Sequence, residues 1–238
     1  MGVKFKRKKS RNLLLILFSR LNKIPFASRK FKFKLYLNLE WIFNRLSSQL
    51  SFTQYTVENH PFRKYSKKFI LENINENDSV LDLGCNYGAM SDYLADKARH
   101  VTGVDYNESA ILTAKNKYKK ENLEFVYDEA LSYLAKNENK FNVLILSHIL
   151  EHLDDPVSFL ESFKKYFQKI YIELPDFDST YLNQYRKDLN VDLIYTDIDH
   201  INEFDRYELM QLINRCGLKI IRSEYIFGVQ KIWCENEE

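Results

Sequence analysis

A chain of 238 residues with 45% hydrophobic content is long enough for one α/β domain with an appendage and a sizeable core. Its net charge of +2 hides a split, because residues 1–39 hold 12 Lys or Arg and no acid, while the rest holds 23 basic against 33 acidic side chains. The acidic body argues against nucleic acid as a partner, and Cys85, Cys216 and Cys234 form no CxxC pair, an odd, scattered set that points to a reducing, cytoplasmic compartment.

The chain opens with a basic run, Lys4 to Arg11, and an apolar run, Leu13 to Phe18. The pair mimics a signal peptide, but six apolar residues fall short of the usual ~7–15 and no small-x-small site follows closely. They are also far short of the ~20 needed to span a bilayer. Two readings of residues 1–34 stay open: a peripheral contact with an anionic membrane, and a basic amphipathic helix packed loosely on the domain. Leu35, Leu39, Ile42, Phe43 and Leu46 recur at helical spacing. They predict a helix over 35–50 that can lie across an active-site mouth. His60-Pro61-Phe62-Arg63 reads as a turn, and a helix is expected over 65–72. Tyr55, His60 and Arg63 are candidates to line a substrate or hold a ligand carboxylate; capping or surface roles are the alternative.

Residues 79–108 carry the strongest pattern. Val80 to Leu83 is a short apolar, β-prone run. Gly84, Asn86 and Gly88 follow at once, so the chain turns tightly and lets a ligand approach its backbone. A helix is predicted over 89–98 and a second strand over 100–104, ending on Asp105. Strand, glycine turn, helix, strand and acid make half of a nucleotide-binding unit. Only two of the three glycines of a dinucleotide loop are present, and Asp82 sits where it would repel a pyrophosphate and suit a cationic amino group. Asp105 can accept both hydroxyls of a ribose. A ligand with a ribose, an ammonium and no phosphate is S-adenosylmethionine. Cys85 beside the loop is either packed or reactive.

A helix is expected over 111–120 and a third strand over 123–127. It ends on Asp128, which can cap a helix over 129–135. Phe141 to Ser147 is nearly all apolar, as a central strand requires. His148, Glu151 and His152 follow at i, i+3 and i+4, so on a helical turn three potential ligands share a face just past a strand end. H-x-x-E-H is also the inverzincin pattern, but here it abuts a strand and Asp154-Asp155-Pro156 instead of sitting in a long helix. A divalent metal on these three residues is one reading. The preferred one makes His148, nearest the strand end, a general base and His152 a support for the loop. A helix over 157–167 and a fifth strand over 169–174 come next. Residues 176–200 read as a long irregular loop with Phe177, Tyr181, Tyr185, Arg186, Tyr195, Asp197, Asp199 and His200. Loops of this length are usually functional. Its rings and acids suit a sugar acceptor, or form a mobile lid without specific contacts. A helix over 206–216 ends at Gly217 as a C′ residue. Strands over 218–225 and 229–234 join at Phe227-Gly228, and Glu235 to Glu238 form an acidic tail.

The stretch from Ser79 to Glu108 resembles motif I and the following acidic motif of class I S-adenosylmethionine-dependent methyltransferases. The resemblance continues through Phe141 to Pro156, similar to the fourth strand and following helix of the large group that includes ubiquinone-type and sugar-type enzymes. It reaches His200-Ile-Asn-Glu-Phe and Cys216-Gly217-Leu218, and so covers roughly residues 78–234. Asn86 stands where the family usually has a second glycine. The resemblance implies an α/β fold with a doubly wound, seven-stranded, mostly parallel Rossmann-like sheet and a C-terminal antiparallel hairpin, here with an N-terminal helical extension. The expected division is a basic arm (1–34), a helical cap (35–77) and a methyltransferase domain (78–238). The implied cofactor set is Asp82, Gly84, Cys85, Asn86, Gly88, Asp105, Tyr106, Asp128, Glu129 and Ser147, with Asp128 meeting the adenine amine. Some ubiquinone-type relatives place metal ligands at the positions of His148, Glu151 and His152.

The expected reaction is in-line displacement at a sulfonium methyl, with His148 or His200 as base for a hydroxyl acceptor. The favoured acceptor is a saccharide or lipid-linked glycan at a membrane face, followed by a quinone-like or other lipid precursor. Two rivals stand beside it: a nicotinamide-dependent oxidoreductase, and a non-catalytic S-adenosylmethionine-binding scaffold.

Overall fold

The computed structural model describes residues 12–25, 27–56, 59–137, 140–197 and 199–236, so the basic run before residue 12 and the end of the acidic tail lie outside the described residues. One sheet holds β1 (Ser79–Leu83), β2 (His100–Asp105), β3 (Leu123–Tyr127), β4 (Val143–Ser147), β5 (Lys169–Pro175), β6 (Leu218–Ile226) and β7 (Val229–Asn236). Their order is β3-β2-β1-β4-β5-β7-β6. β1 to β5 are parallel, and β7 runs antiparallel between β5 and β6. The expected doubly wound sheet with its C-terminal hairpin is therefore observed. Phe227 and Gly228 carry φ of +54° and +76°, the two consecutive left-handed residues of a tight I′ turn.

Both faces of the sheet are covered, which explains why the central strands read as continuous apolar runs. On one face Val80, Val143 and Ile145 pack on Phe69 and Ile70 of α3 (Pro61–Glu72) and Leu94 of α4 (Ala89–Ala95). On the other, Leu81, Leu83, Leu144 and Leu146 meet Leu134 of α6 (Ala130–Lys136), Leu160 and Phe163 of α7 (Pro156–Phe163), and Leu209 and Ile213 of α9 (Arg206–Arg215). Each fully buried aliphatic side chain here contributes about 1.5–3 kcal/mol.

Several boundaries differ from the sequence reading, for local reasons. The His60-Pro61 turn is the start of α3, with Pro61 in the first turn where no amide donor is needed. α5 (Glu108–Lys117) starts three residues early, because Asn107 caps it by accepting from the Ala110 amide at 3.2 Å. α4 ends at Ala95 and α7 at Phe163, the latter followed by one 3₁₀ turn, Lys164–Tyr166. The helix expected over 35–50 is the middle of α2 (Arg29–Gln54), which starts at the Ser28 cap and so crosses the boundary drawn at residue 34. The segment 176–200 is not irregular throughout. It holds a 3₁₀ turn, Phe177–Ser179, and α8 (Tyr181–Leu189), opened by the Thr180 cap and closed by Asn190 at φ +52°.

α2 straps across that segment. Buried Arg186 of α8 pairs with Glu40 and donates to the Leu37 carbonyl at 3.1 Å. Trp41 donates to the Tyr195 carbonyl at 3.0 Å, and Arg45 pairs with Asp197. α1 (Leu13–Leu21) buries none of its residues.

Candidate functional site

The strand order changes direction between β1 and β4. In such sheets the crevice beyond the strand C-termini at that point is where ligands sit. The glycine turn leaves β1 there, Asp105 ends the neighbour on one side, and Ser147 and His148 end the neighbour on the other.

The turn needs its residues. Gly84 and Gly88 have φ of +70° and +77°, and a Cβ on them would stand 2.4 Å from Ile149 Cδ1 and 2.5 Å from the Phe125 ring. Asn86 has φ +49°, which asparagine tolerates better than most residues. That explains how it replaces the family's second glycine. The turn closes on Asp105, which is only 8% exposed. The Asn86 amide donates to its Oδ2 and the Asn107 amide to its Oδ1, each at 2.8 Å. Each carboxylate oxygen keeps a lone pair for a further donor. The Gly84 and Cys85 amides are used internally, both donating to the Val104 carbonyl at 2.8 and 3.1 Å.

Asp82 was expected to face a ligand ammonium. In the structure it is 2% exposed and accepts from Ser91 Oγ at 2.5 Å. Burial, with a smaller push from Asp105, raises its pKa to about 7. Cys85 is buried, and burial followed by the charges of Asp82 and Asp105 pushes its thiol well up, so the packed reading holds over the reactive one. Tyr106 is 81% exposed beside Asp105, and Glu129 is exposed as the cap residue of α6. Asp128 is therefore one position before the cap expected of it. It accepts from the Glu129 amide at 2.8 Å and pairs with Lys136 at 3.0 Å, and the Lys136 hydrogen bond holds its carboxyl below the usual range.

The β4 side is built from side chains. His148 leaves the strand at φ +57°, a sparsely populated conformation that clusters at functional sites. Its backbone amide donates to the Glu173 carbonyl at 2.7 Å. Its ring lies between two buried carboxylates, with Nδ1 2.9 Å from Glu151 Oε1 and Nε2 3.7 Å from Glu173 Oε1. Desolvation opposes a charge on this ring, but the Glu151 hydrogen bond and the charges of Glu151 and Glu173 outweigh it, even against Arg63, and its pKa is raised. Glu173 is held in turn by the Tyr171 hydroxyl.

His148, Glu151 and His152 do not converge as a helical turn would make them. Only Leu150–His152 is helical, as a 3₁₀ turn, and His152 points away, its Nδ1 3.1 Å from the Asp199 carbonyl. The grouping that forms instead is Glu151, His152 and His200, whose ligand atoms lie within 4.8 Å of one another. The His152 and His200 rings meet edge to face at 4.8 Å, and His200 Nδ1 lies 2.9 Å from Glu203 Oε1. Glu151 Oε2 is buried and has no hydrogen-bond partner among the described residues. Glu151 thus stands between the two histidines, bonded to His148 and within 4.8 Å of His200.

Of the α2–α3 candidates, His60 serves packing: it stacks on Phe52 at 4.5 Å, and its Nε2 lies 2.9 Å from Ser51 Oγ. Arg63 is close enough to His148 to bias its titration. Glu173, Tyr171 and Glu203 were missed from sequence. For Glu173 a signal existed, a lone acid in the apolar strand Ile170 to Leu174.

A family model described as a methyltransferase domain matches residues 58–223. The ubiquinone biosynthesis O-methyltransferase of Coxiella burnetii is 38% identical over 78 residues, 32% of this chain and 33% of that protein. The chain spans about a third to a half of the length of the curated relatives it matches. Among solved structures, the N-methyltransferase NodS from Bradyrhizobium japonicum, in complex with S-adenosyl-l-homocysteine, aligns with TM-score 0.56 and 14% identity over 77% of this chain and 92% of that one. The magnesium protoporphyrin IX methyltransferase from Synechocystis PCC 6803 aligns with TM-score 0.56 and 12% identity over 95% of each chain. At these identities the structural likeness shows the fold.

Proposed function

The chain belongs to the methyltransferase-domain family, and we propose that it moves the methyl group of S-adenosylmethionine onto a hydroxyl of a small-molecule acceptor. The residues at the strand ends fit this cofactor. No Lys or Arg lies within 82–91 to pair a pyrophosphate. Asp105, fixed by two backbone amides, has acceptor capacity left for a ribose diol. Gly84 and Gly88 keep the turn free of side chains that would fill it.

When bound, S-adenosylmethionine supplies the electrophilic methyl group. The protein's part is position and proton handling. Holding the acceptor oxygen against the methyl can account for ~7–11 kcal/mol of barrier. With Nδ1–H donating to Glu151, His148 keeps its lone pair on Nε2. The 3.7 Å gap to Glu173 is too long for a hydrogen bond, so Nε2 is open to a hydroxyl proton. Once it takes that proton, the imidazolium rests between two buried carboxylates that stabilise it.

The observation that carries this reading is the placement of clasped Asp105 and doubly flanked His148 on either side of the β1 turn. Calorimetric titration of the protein and an Asp105→Ala variant with S-adenosylmethionine and with NADH tests it. Binding of S-adenosylmethionine that the variant loses is the expected result; binding of NADH alone would overturn it. The stretch shared with the ubiquinone biosynthesis enzyme favours a phenolic, quinone-like acceptor. A saccharide or lipid-linked glycan is the second reading, favoured by Tyr181 and Tyr185, exposed on α8 with ring centroids 5.5 Å apart. Methyl transfer to simple catechols against simple sugars separates the two.

A further inference from the structure

From α1 and the chain around it, we infer that the protein docks on an anionic membrane surface through this helix, lying in the plane of the interface. Six of the nine residues of α1 form an uninterrupted apolar run, and none of the nine is buried. Leu13 is 75% exposed, Leu14, Leu15, Leu17 and Phe18 at least half, and Ile24 beyond the helix half. A helix apolar on most of its circumference is stable only when something covers it, and nothing among the described residues buries it.

The covering partner is identified by charge and by length. Residues 1–39 carry 12 Lys or Arg and no acid, while the remainder has ten more acids than bases. This basic flank is attracted to anionic headgroups and, with the acidic body, sets which side turns to the surface. Nine residues rise only about 14 Å, against a hydrocarbon core of about 30 Å. No helix among the described residues is long and apolar enough to cross a membrane. An apolar helix with basic flanks and too short to span lies in the interface.

α1 is also fixed to the fold at one end. Buried Lys32 of α2 donates to the carbonyls of Asn22 and Ile24 at 2.9 and 2.6 Å, holding the chain just past the helix C-terminus. Lipid contact at α1 is therefore tied to α2, which straps the segment that carries His200.

Sedimentation of the full chain with vesicles tests the inference, using phosphatidylcholine alone and phosphatidylcholine mixed with phosphatidylglycerol. The expected result is at least about tenfold stronger partition onto the anionic vesicles, weakened by salt. A Leu14→Glu/Leu17→Glu variant should lose about tenfold or more of that partition while its melting temperature stays unchanged, since neither side chain is buried in the fold. Absence of binding to anionic vesicles would overturn the inference, as would binding that the variant retains. Light scattering covers the other occupant: a dimer that the variant abolishes, without vesicle binding by the parent, would make α1 a contact between copies.

Discussion

The two sides of the crevice are built by different means. On the β1–β2 side the key contacts are backbone to backbone or backbone to carboxylate, between residues about twenty apart in sequence: the Asn86 amide on Asp105, and the Gly84 and Cys85 amides on Val104. On the β4 side they run side chain to side chain. His148 is set by Glu151 and Glu173, and His200 by Glu203 and His152. Part of that side's cover comes from α2, whose Trp41 and Arg45 hold Tyr195 and Asp197, more than 150 residues further along the chain. A site made of backbone accepts one ligand shape whatever surrounds it. A site made of side chains can be retuned residue by residue, as suits the half that meets the acceptor.

The sharpest way to break this division is at His148. His148→Gln should lower kcat by about 10²–10⁴ and leave cofactor affinity within threefold or so, checked by turnover and calorimetry together. If affinity falls in parallel, the two halves are not independent. The parent's rate should rise with pH through an apparent pKa above the ordinary histidine value, because His148 acts as a base only when neutral and its pKa is raised. The same shift makes its contribution to stability complete below about pH 6.5 and lost as pH rises through the folded-state pKa. Glu173→Gln removes one flanking charge and should move the acid limb of the rate profile to lower pH.

On the other side, Asp105→Asn keeps the shape and halves the acceptor set. It should weaken S-adenosylmethionine by about a hundredfold while kcat at saturation changes little. That split between KM and kcat is the mirror image of the His148 result.

The same difference explains what the sequence could disclose. The cofactor half is local: a strand, a turn with two glycines and an asparagine that all take positive φ, and an acid at the next strand end. Each is a property of residue type and spacing, so it could be read directly. The acceptor half depends on where distant segments fall. The spacing of His148, Glu151 and His152 suggested a shared helical face. The positive φ of His148 and the short 3₁₀ turn after it regroup Glu151 and His152 with His200, nearly fifty residues on. α8 carried a signal that the loop reading passed over, Leu182, Tyr185 and Leu189 at i, i+3 and i+7 behind the Thr180 cap, and the tertiary pairing of Arg186 with Glu40 secures it. Asp82 was read for its charge, which burial then suppresses.

That suppressed charge sharpens the comparison further. Asp82 has a folded-state pKa of about 7, above its unfolded value, so between about pH 4 and 7 the folded state holds the extra proton and stability falls as pH rises. Asp82→Asn should flatten that slope and stabilise the unliganded protein at pH 8 by on the order of 2 kcal/mol, read from melting temperature against pH. If cofactor affinity then drops, the carboxylate serves the ligand at the expense of the fold.

The smallest expected effect tests the strap. Arg45 and Asp197 are both partly exposed, so their pairing contributes at most about 1 kcal/mol to stability. Arg45→Ala should shift unfolding by less than that. Asp197, though, lies three residues before His200, and Trp41 holds the same segment two residues earlier at Tyr195. Losing the Arg45 contact loosens the cover that α2 gives this segment without unfolding anything. The acceptor KM should then rise two- to threefold or so, with cofactor affinity and the rate at saturation unchanged. A change confined to cofactor affinity would put the strap on the wrong side of the crevice. No change in either constant would mean that the segment's other contacts, Trp41 on Tyr195 and Thr196 on Glu203 among them, set its position without Arg45.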